Sequence, residues 1–344
     1  MKLLWLCIDA LDHTHVNNWI KKLPELKHLT KRSVWGQLTP EIPYSPQSWT
    51  TQFSGFNASH HGIFSLDKQN MTVNTSVPLI WQLTSAAKIP TGVHRVPFTF
   101  PPDKDTSYMY SGWTAPYPAC HPNTEDYWQY LTPVYNVSME TPDYHTSMAA
   151  NKHIAIFDSE LAMAKKLFVD HPVDVGIIFW SIIDKLSHNI WEWRWDESEE
   201  ERVKWYKRID RHIGEFIQLF EPEMIVISSD HGFNSRDHSD TVWHPAHMEE
   251  QHCWHTAEGF YLIYHPDVKP QQKDLSNIDL LPTIISILGW QLRYKMDGSP
   301  QIPTKSRKLT PIETPDARDP IAESIYTEEE QSIVDSRLRG LGYK

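Results

Sequence analysis

Short, largely apolar runs of strand length constrain this chain more than any other feature of its sequence. LLWLCI (3–8), GVHRV (92–96), VGIIFWS (175–181), EMIVIS (223–228) and FYLIY (260–264) are separated by helical patterns over 16–31, 158–169 (opened by Asp158-Ser159), 197–219 and 276–288. A run with no polar position has no solvated side, so such strands belong inside a sheet that is covered on both faces. Strands and helices alternating in this way predict an α/β fold, a mostly parallel central sheet with helices on both faces. The 344 residues, 40% of them hydrophobic, suffice for a large core, and no internal repeat is visible.

Residues 100–150 break the alternation. FPPDKDTSYMYSGWTAPYPACHPNTEDYW is rich in proline, tyrosine and tryptophan without a clean period of either kind, which marks cap or insertion material within one domain spanning 1–344. From 296 to 344 the chain becomes a proline-rich connector and then a short terminal helix, TEEEQSIVDSRLRGLGY, expected to pack back on the domain. The run ESEEERVKWYKR reads as a solvated helix face with opposite-charge pairs.

Charge and targeting signals narrow the function classes. A formal charge of −12 leaves no basic stripe for a nucleic-acid polymer, so any anionic substrate must be attracted locally. The apolar stretch Leu3–Ile8 is too short for a secretory leader and is ended by Asp9. No run of about 18 apolar residues occurs, so no membrane span is expected. Cys7, Cys120 and Cys253 are scattered and odd in number, which fits reduced thiols and a cytoplasmic location. The sequon Asn74-Thr75-Ser76 is then a chance match. Oligomeric state is not written in the sequence.

The chemistry starts where EMIVIS ends, at Ser229-Asp230-His231-Gly232-Phe233. In an open α/β sheet the crevice beyond the carboxyl ends of the strands is where ligands and ions are bound, and adjacent Asp and His side chains there can both grip one metal ion. Asp9 follows the first strand in the same manner, although alone it would serve equally well as a cap for the next segment. After VGIIFWS come Asp184 and His188, four residues apart and so on one face of a helical turn; in isolation such a pair is more often a buried Asp–His contact. HPAHMEEQHCWHTAEGFYLIYH supplies several imidazoles, with His255 best placed just ahead of Gly259. His244, His247 and His252 are weaker candidates, because each bound imidazole also needs a partner for its second ring nitrogen. The set divides into Asp9, Asp230 and His231 for one ion and Asp184, His188 and His255 for another. Mixed Asp/His ligation suits zinc first, then manganese or iron.

A metal pair needs a group to activate, and PYSPQSWTTQFSGFNASHHGIF offers Ser45, Ser48, Thr50, Thr51 and Ser54. Ser45-Pro46 also reads as a helix start, with Ser45 as N-cap and Pro at the first position. The two readings are compatible, since a helix N-terminus welcomes a phosphoryl group.

Taken in order, these segments resemble the alkaline phosphatase superfamily, and within it the type I phosphodiesterase/nucleotide pyrophosphatase branch. CIDALD, VPFTFPP, YMYSGWTAP, Asp184/His188, SDHGF, WHTAEGFYLI and IDLLPTIISILG are similar to that branch's motifs, and RLRGLGY shares its character. The resemblance implies a nucleophile ten residues before the glycine of Ser54-Gly55, which places it at Ser45, where the branch usually has Thr. It also implies an Asn three residues later to hold a phosphate oxygen, whereas this chain has Ser48. No Cys-x-Pro-x-Arg signature of sulfatases is present.

The expectation is a two-metal phosphate ester hydrolase, a phosphodiesterase/nucleotide pyrophosphatase acting through a phosphoseryl intermediate on a nucleotide-like small molecule. In it Asp9, Asp230, His231 and Ser45 serve one ion, while Asp184, His188 and His255 serve the other. Aromatic residues of 100–150 and IWEWRW (190–195) could stack a base, against a core role for most of the 15 tryptophans. A phosphomonoesterase or phosphonate hydrolase with the same metals, and a non-catalytic nucleotide-binding protein, are the competing readings.

Overall fold

Leu3–Ile8 forms β1 at the centre of the main sheet. Its odd positions (Leu3, Trp5, Cys7) enter one hydrophobic core and its even positions (Leu4, Leu6, Ile8) the other. Successive side chains of a strand point to opposite faces, and because both faces are dry here, every position is apolar. The computed structural model describes residues 1–64, 77–123, 127, 147–188, 199–235, 253–305, 309–314, 327–330 and 332. IWEWRW, His244, His247, His252 and most of the stretch expected as a terminal helix lie outside them.

Along the chain follow α1 (His13–Trp19), α2 (Pro24–Thr30), β2 (Val34–Thr39), α3 (Ser45–Ser54), α4 (Ala58–His61), α5 (Ile80–Ala86), β3 (Thr91–His94), β4 (Tyr108–Tyr110), β5 (Cys120–His121) and α6 (Ser147–Asp170). Then come β6 (Val175–Trp180), α7 (Ile182–Leu186), α8 (Glu199–Phe220), β7 (Met224–Ser228), β8 (Gly232–Ser235), β9 (Cys253–Thr256) and β10 (Gly259–Tyr264). The last are β11 (Gln271–Gln272), β12 (Leu275–Ser276), α9 (Leu280–Leu288), β13 (Trp290–Gln291) and β14 (Thr310–Pro311). The main sheet has the order β11-β2-β10-β7-β1-β6-β3-β4-β5, with β12 also paired to β2. Strands β7, β1, β6, β3 and β4 run parallel, whereas β10 is antiparallel to both its neighbours. One face is covered by α3, α5 and α9 through Trp49, Phe53, Trp81 and Ile284. The other is covered by α1, α2, α6 and α8 through Val16, Leu26, Leu161, Ile209 and Phe216. This is the mostly parallel, doubly covered sheet that the alternation predicts.

Local differences have physical reasons. The helical pattern over 16–31 is broken by Pro24, which starts α2 instead of continuing α1. Helix α6 begins at Ser147, eleven residues before the Asp158-Ser159 start signal, because SMAANKHIAIF already carries good helix formers. The stretch read as insertion material contributes β4 and β5 to the edge of the main sheet. Trp5, Trp49, Trp81 and Trp180 are all fully buried, the core role that competed with base stacking.

His94, at the end of β3, is 1% exposed. Burial first, then the neighbouring Arg95 charge, pushes its pKa down to about 3. The folded state holds this ring neutral while the unfolded chain protonates it below about pH 6.5, so the stability it contributes is lost as pH falls from 6.5 toward 3. Between pH 7 and pH 5 the wild type is expected to lose about 2 kcal/mol more than His94→Gln does. Urea melts of both proteins at the two pH values measure this, and parallel losses would refute it.

Candidate active site

Three parallel strands deliver the acidic groups. β1, β6 and β7 lie side by side, so Asp9 (after β1), Asp184 (on α7, after β6) and Asp230-His231 (after β7) emerge at one end of the sheet. The ribbon β8–β9 leaves at Gly232 and returns with His255. Asp9, Asp184, Asp230, His231, His255 and Ser45 are all buried, and His188 is half-buried. All seven residues singled out from the sequence thus share one crevice. At its edge Ala10 adopts φ 59°, a left-handed conformation uncommon for a residue with a side chain.

His231 Nε2 is 3.4 Å from Asp9 Oδ1, 3.3 Å from Asp230 Oδ2 and 3.2 Å from Ser45 Oγ. Beside this group, Asp184 Oδ1 is 3.3 Å from His188 Nε2 and 3.5 Å from His255 Nε2, and the two Nε2 atoms are 3.0 Å apart. A tetrahedral cation with N or O ligands about 2.0–2.1 Å away spaces its ligand atoms about 3.3–3.4 Å apart. The separations in the two groups, 3.0–3.5 Å, bracket that spacing. They share a wall, for the His231 and His255 rings stack with centroids 3.6 Å apart, and Asp184, His231 and His255 also offer ligand atoms within 4.8 Å of one another.

Three observations say what this crevice is built to hold. Asp9 Oδ1, Asp184 Oδ1 and Asp230 Oδ2 are buried yet accept no hydrogen bond from any described residue, an expense proteins rarely carry without a partner for the oxygen. The Nδ1–H of His231 donates to the Gly232 carbonyl (2.9 Å) and that of His255 to the Pro43 carbonyl (2.9 Å). Carbonyls only accept, so both rings carry a proton on Nδ1, and the His231 ring, which burial keeps neutral, turns an Nε2 lone pair toward the carboxylates. Burial, reinforced by the nearby Asp230 and Asp184, raises the Asp9 pKa well above the usual carboxylate range. Burial likewise raises Asp230 and, with His255, holds His231 far below its usual value. At Asp184 burial acts upward, but His188 and His255 outweigh it and leave this carboxyl ionised. Buried oxygen ligands, an imidazole lone pair aimed inward and like charges in need of neutralisation together fit a pair of divalent cations.

Ser45 heads α3. Tyr44, not Ser45, takes the N-cap position, and Pro46 follows in the first turn. The Ser45 hydroxyl is therefore not used to cap the helix, and it faces His231. Two further α3 side chains lock the helix to the loop after β7: Ser48 Oγ donates to the Asp230 carbonyl (2.7 Å) and Gln52 Nε2 to the Ser229 carbonyl (3.0 Å). Ser48 Oγ in turn accepts from Asn277 Nδ2 (3.3 Å). With its one hydrogen given to Asp230, Ser48 has none left for a phosphate oxygen. Gly55 ends the helix at φ 73°, a left-handed C-cap that glycine adopts without strain. Gln52, Asn277 and Asp12, which tie the crevice together, carried no sequence signal beyond being polar residues near strand and helix ends.

The model of the type I phosphodiesterase/nucleotide pyrophosphatase family matches residues 3–283. No curated protein matches the sequence. Among solved structures, murine ectonucleotide pyrophosphatase/phosphodiesterase 5 aligns over 87% of this chain and 98% of its own, with TM-score 0.57 and 13% identity. The human counterpart aligns over 87% of this chain and 97% of its own, with TM-score 0.54 and 15% identity. Wild-type alkaline phosphatase PafA covers 83% of this chain and 95% of its own, with TM-score 0.56 and 11% identity. A further structure of the murine protein is an inactive variant in complex with AMP, aligned over 87% of this chain with TM-score 0.55 and 13% identity.

Proposed function

Because the chain belongs to the type I phosphodiesterase/nucleotide pyrophosphatase family, a family of phosphoester hydrolases, we propose that it cleaves a phosphodiester or pyrophosphate bond of a nucleotide-like small molecule with Ser45 as nucleophile. The observation that carries this reading is the position of Ser45 Oγ, at the head of a ten-residue helix and 3.2 Å from His231 Nε2, inside a ring of buried Asp and His side chains. Asp9, Asp230 and His231 with Ser45 would hold one divalent ion, and Asp184, His188 and His255 the other, zinc being the first choice for this donor set. Such ions, when bound, supply the positive charge that ionises a serine hydroxyl at neutral pH, polarise the phosphoryl group and activate water.

The chain's own part is orientation and exclusion of water. Ser48 and Gln52 fix α3 so that Ser45 Oγ is presented to the crevice, and the helix N-terminus favours the negative charge of the phosphoryl group beside it. Ser45 Oγ attacks phosphorus, the bond to the leaving oxygen breaks, and water then releases the phosphoryl group from Ser45. The nucleotide preference draws support from the family and from the AMP complex of the murine neighbour. Ser48, whose hydrogen is committed to Asp230, would not hold a phosphate oxygen.

A bis-aryl phosphate, a mono-aryl phosphate and a dinucleoside pyrophosphate assayed side by side test this reading. The diester or the pyrophosphate is expected to give kcat/KM at least about tenfold above the monoester, a difference of about 1.4 kcal/mol in transition-state binding. A clear monoester preference would move the protein to the phosphomonoesterases. No hydrolysis of any of these would favour a binding protein.

A further inference from the structure

The ribbon β8–β9 forms its own two-stranded sheet and pairs with no strand of the main sheet among the described residues. It nevertheless begins directly after His231 and contains His255. We propose that Asp12 is the positioning residue that braces this ribbon, and with it both imidazoles, against the rest of the crevice. The inference rests on the metal-centre reading given above.

Asp12 is fully buried. Its Oδ1 accepts the His15 N–H (2.9 Å), which caps α1. Its Oδ2 accepts the Phe233 N–H (3.2 Å) and the Thr256 hydroxyl (3.4 Å). Phe233 lies two residues after His231 and Thr256 one residue after His255, and in the ribbon Phe233 pairs with His255 while Gly232 pairs with Thr256. One carboxylate oxygen thus binds both strands where they carry the imidazoles. Space for it exists only because residue 232 is glycine: a Cβ there would stand 2.3 Å from Asp12 Oδ2 and 2.5 Å from Thr256 Oγ1.

The other end of the brace is equally fixed. The Asp12 amide donates to the Tyr206 hydroxyl on α8 (3.3 Å). The neighbouring Leu11 amide donates to Ser229 Oγ (2.9 Å), whose hydrogen goes to the His231 carbonyl (2.7 Å). Asp9 and Asp12 therefore sit on one short, bonded segment, the first facing the candidate ion and the second holding the ribbon opposite it. A displacement of about 1 Å in such a site can cost roughly a hundredfold in rate, so this support, which adds to the bonds from His255 to the Pro43 carbonyl and from Ser229 to the His231 carbonyl, carries functional weight although it touches no substrate.

The two oxygens have separable roles, which makes the proposal testable in the full-length protein. Asp12→Asn and Asp12→Ser both keep a good N-cap for α1. Neither keeps the second oxygen that accepts from Phe233 and Thr256. With the cap retained, both variants are expected to melt within a few degrees of wild type. Their Zn2+ affinity, titrated calorimetrically, is expected to drop about 10–100-fold, and the Phe233 amide is expected to exchange faster in the ion-free protein. On a diester substrate kcat is expected to fall with KM little changed. Unaltered Zn2+ affinity and Phe233 exchange in a folded variant would overturn the role of Asp12 alone. A wild type that binds no Zn2+ or Mn2+ would overturn the metal centre and this proposal with it. If one variant fails to fold, the other carries the same comparison.

Discussion

Ser45→Ala is expected to leave a folded protein that still retains both divalent ions on the six remaining Asp and His ligands, with kcat reduced at least about 10^4-fold. Removal of the nucleophile from hydrolases with a covalent intermediate has effects of this order or larger. The hydroxyl contributes little to the fold. The N-cap position of α3 is taken by Tyr44, without a side-chain capping bond, and the helix is held by Ser48, Gln52 and the buried rings of Trp49 and Phe53. Metal content by mass spectrometry and turnover of a bis-aryl phosphate are the paired measurements. Retained turnover would remove Ser45 from its role, and a parallel loss of metal would show that the hydroxyl is needed to hold an ion.

The second large effect concerns removal of the ions themselves. Exhaustive chelation is expected to abolish hydrolysis and to lower the melting temperature, both restored by Zn2+ or Mn2+. An ion present at about 100 times its Kd stabilises the folded state by about 2.7 kcal/mol per site. The pH dependence has a definite sign. Asp9 and Asp230 have pKa values raised first by burial and further by the nearby Asp184, so in the ion-free protein the stability they contribute is present in acid and is lost as pH rises through those values. Cations and protons compete for the same oxygens. The gap in melting temperature between loaded and stripped protein is therefore expected to be small near pH 5 and to widen toward pH 8. A gap independent of pH would contradict this assignment of the buried carboxylates.

Much of this was legible in the sequence, for identifiable reasons. Strands buried on both faces write themselves as uninterrupted apolar runs, which is why β1, β6, β7 and β10 were readable. A residue that ends such a run must leave the sheet at its carboxyl edge, which is why Asp9 and Asp230 could be paired before any coordinates. β2 was not readable, because next to the sheet's edge it buries only alternate residues, and VWGQLT mixes polar and apolar positions. The split between α1 and α2 turned on a single proline, and the early start of α6 on a helix that needs no cap signal. Asp12, Gln52 and Asn277 escaped for a different reason. Apart from the local cap that Asp12 makes to His15, the partners that matter to the crevice are groups more than 170 residues away in sequence or, for Asn277, a serine hydroxyl 229 positions distant, and nothing local marks a polar residue with such a destination. The same distance explains how Ser48 could be noted as a departure from the branch's Asn without foresight of what its hydroxyl does.

The convergence of β1, β6 and β7 at one edge of the sheet has a consequence for how the protein matures. The groups around the crevice come from positions 9, 45, 184, 188, 230, 231 and 255, so on the ligand assignment proposed above a nascent chain would gain the donors of the first ion only once His231 has been synthesised, and those of the second only once His255 has. Loading of both proposed ions would thus report that β1, β6 and β7 have found their register and that the ribbon has returned with His255.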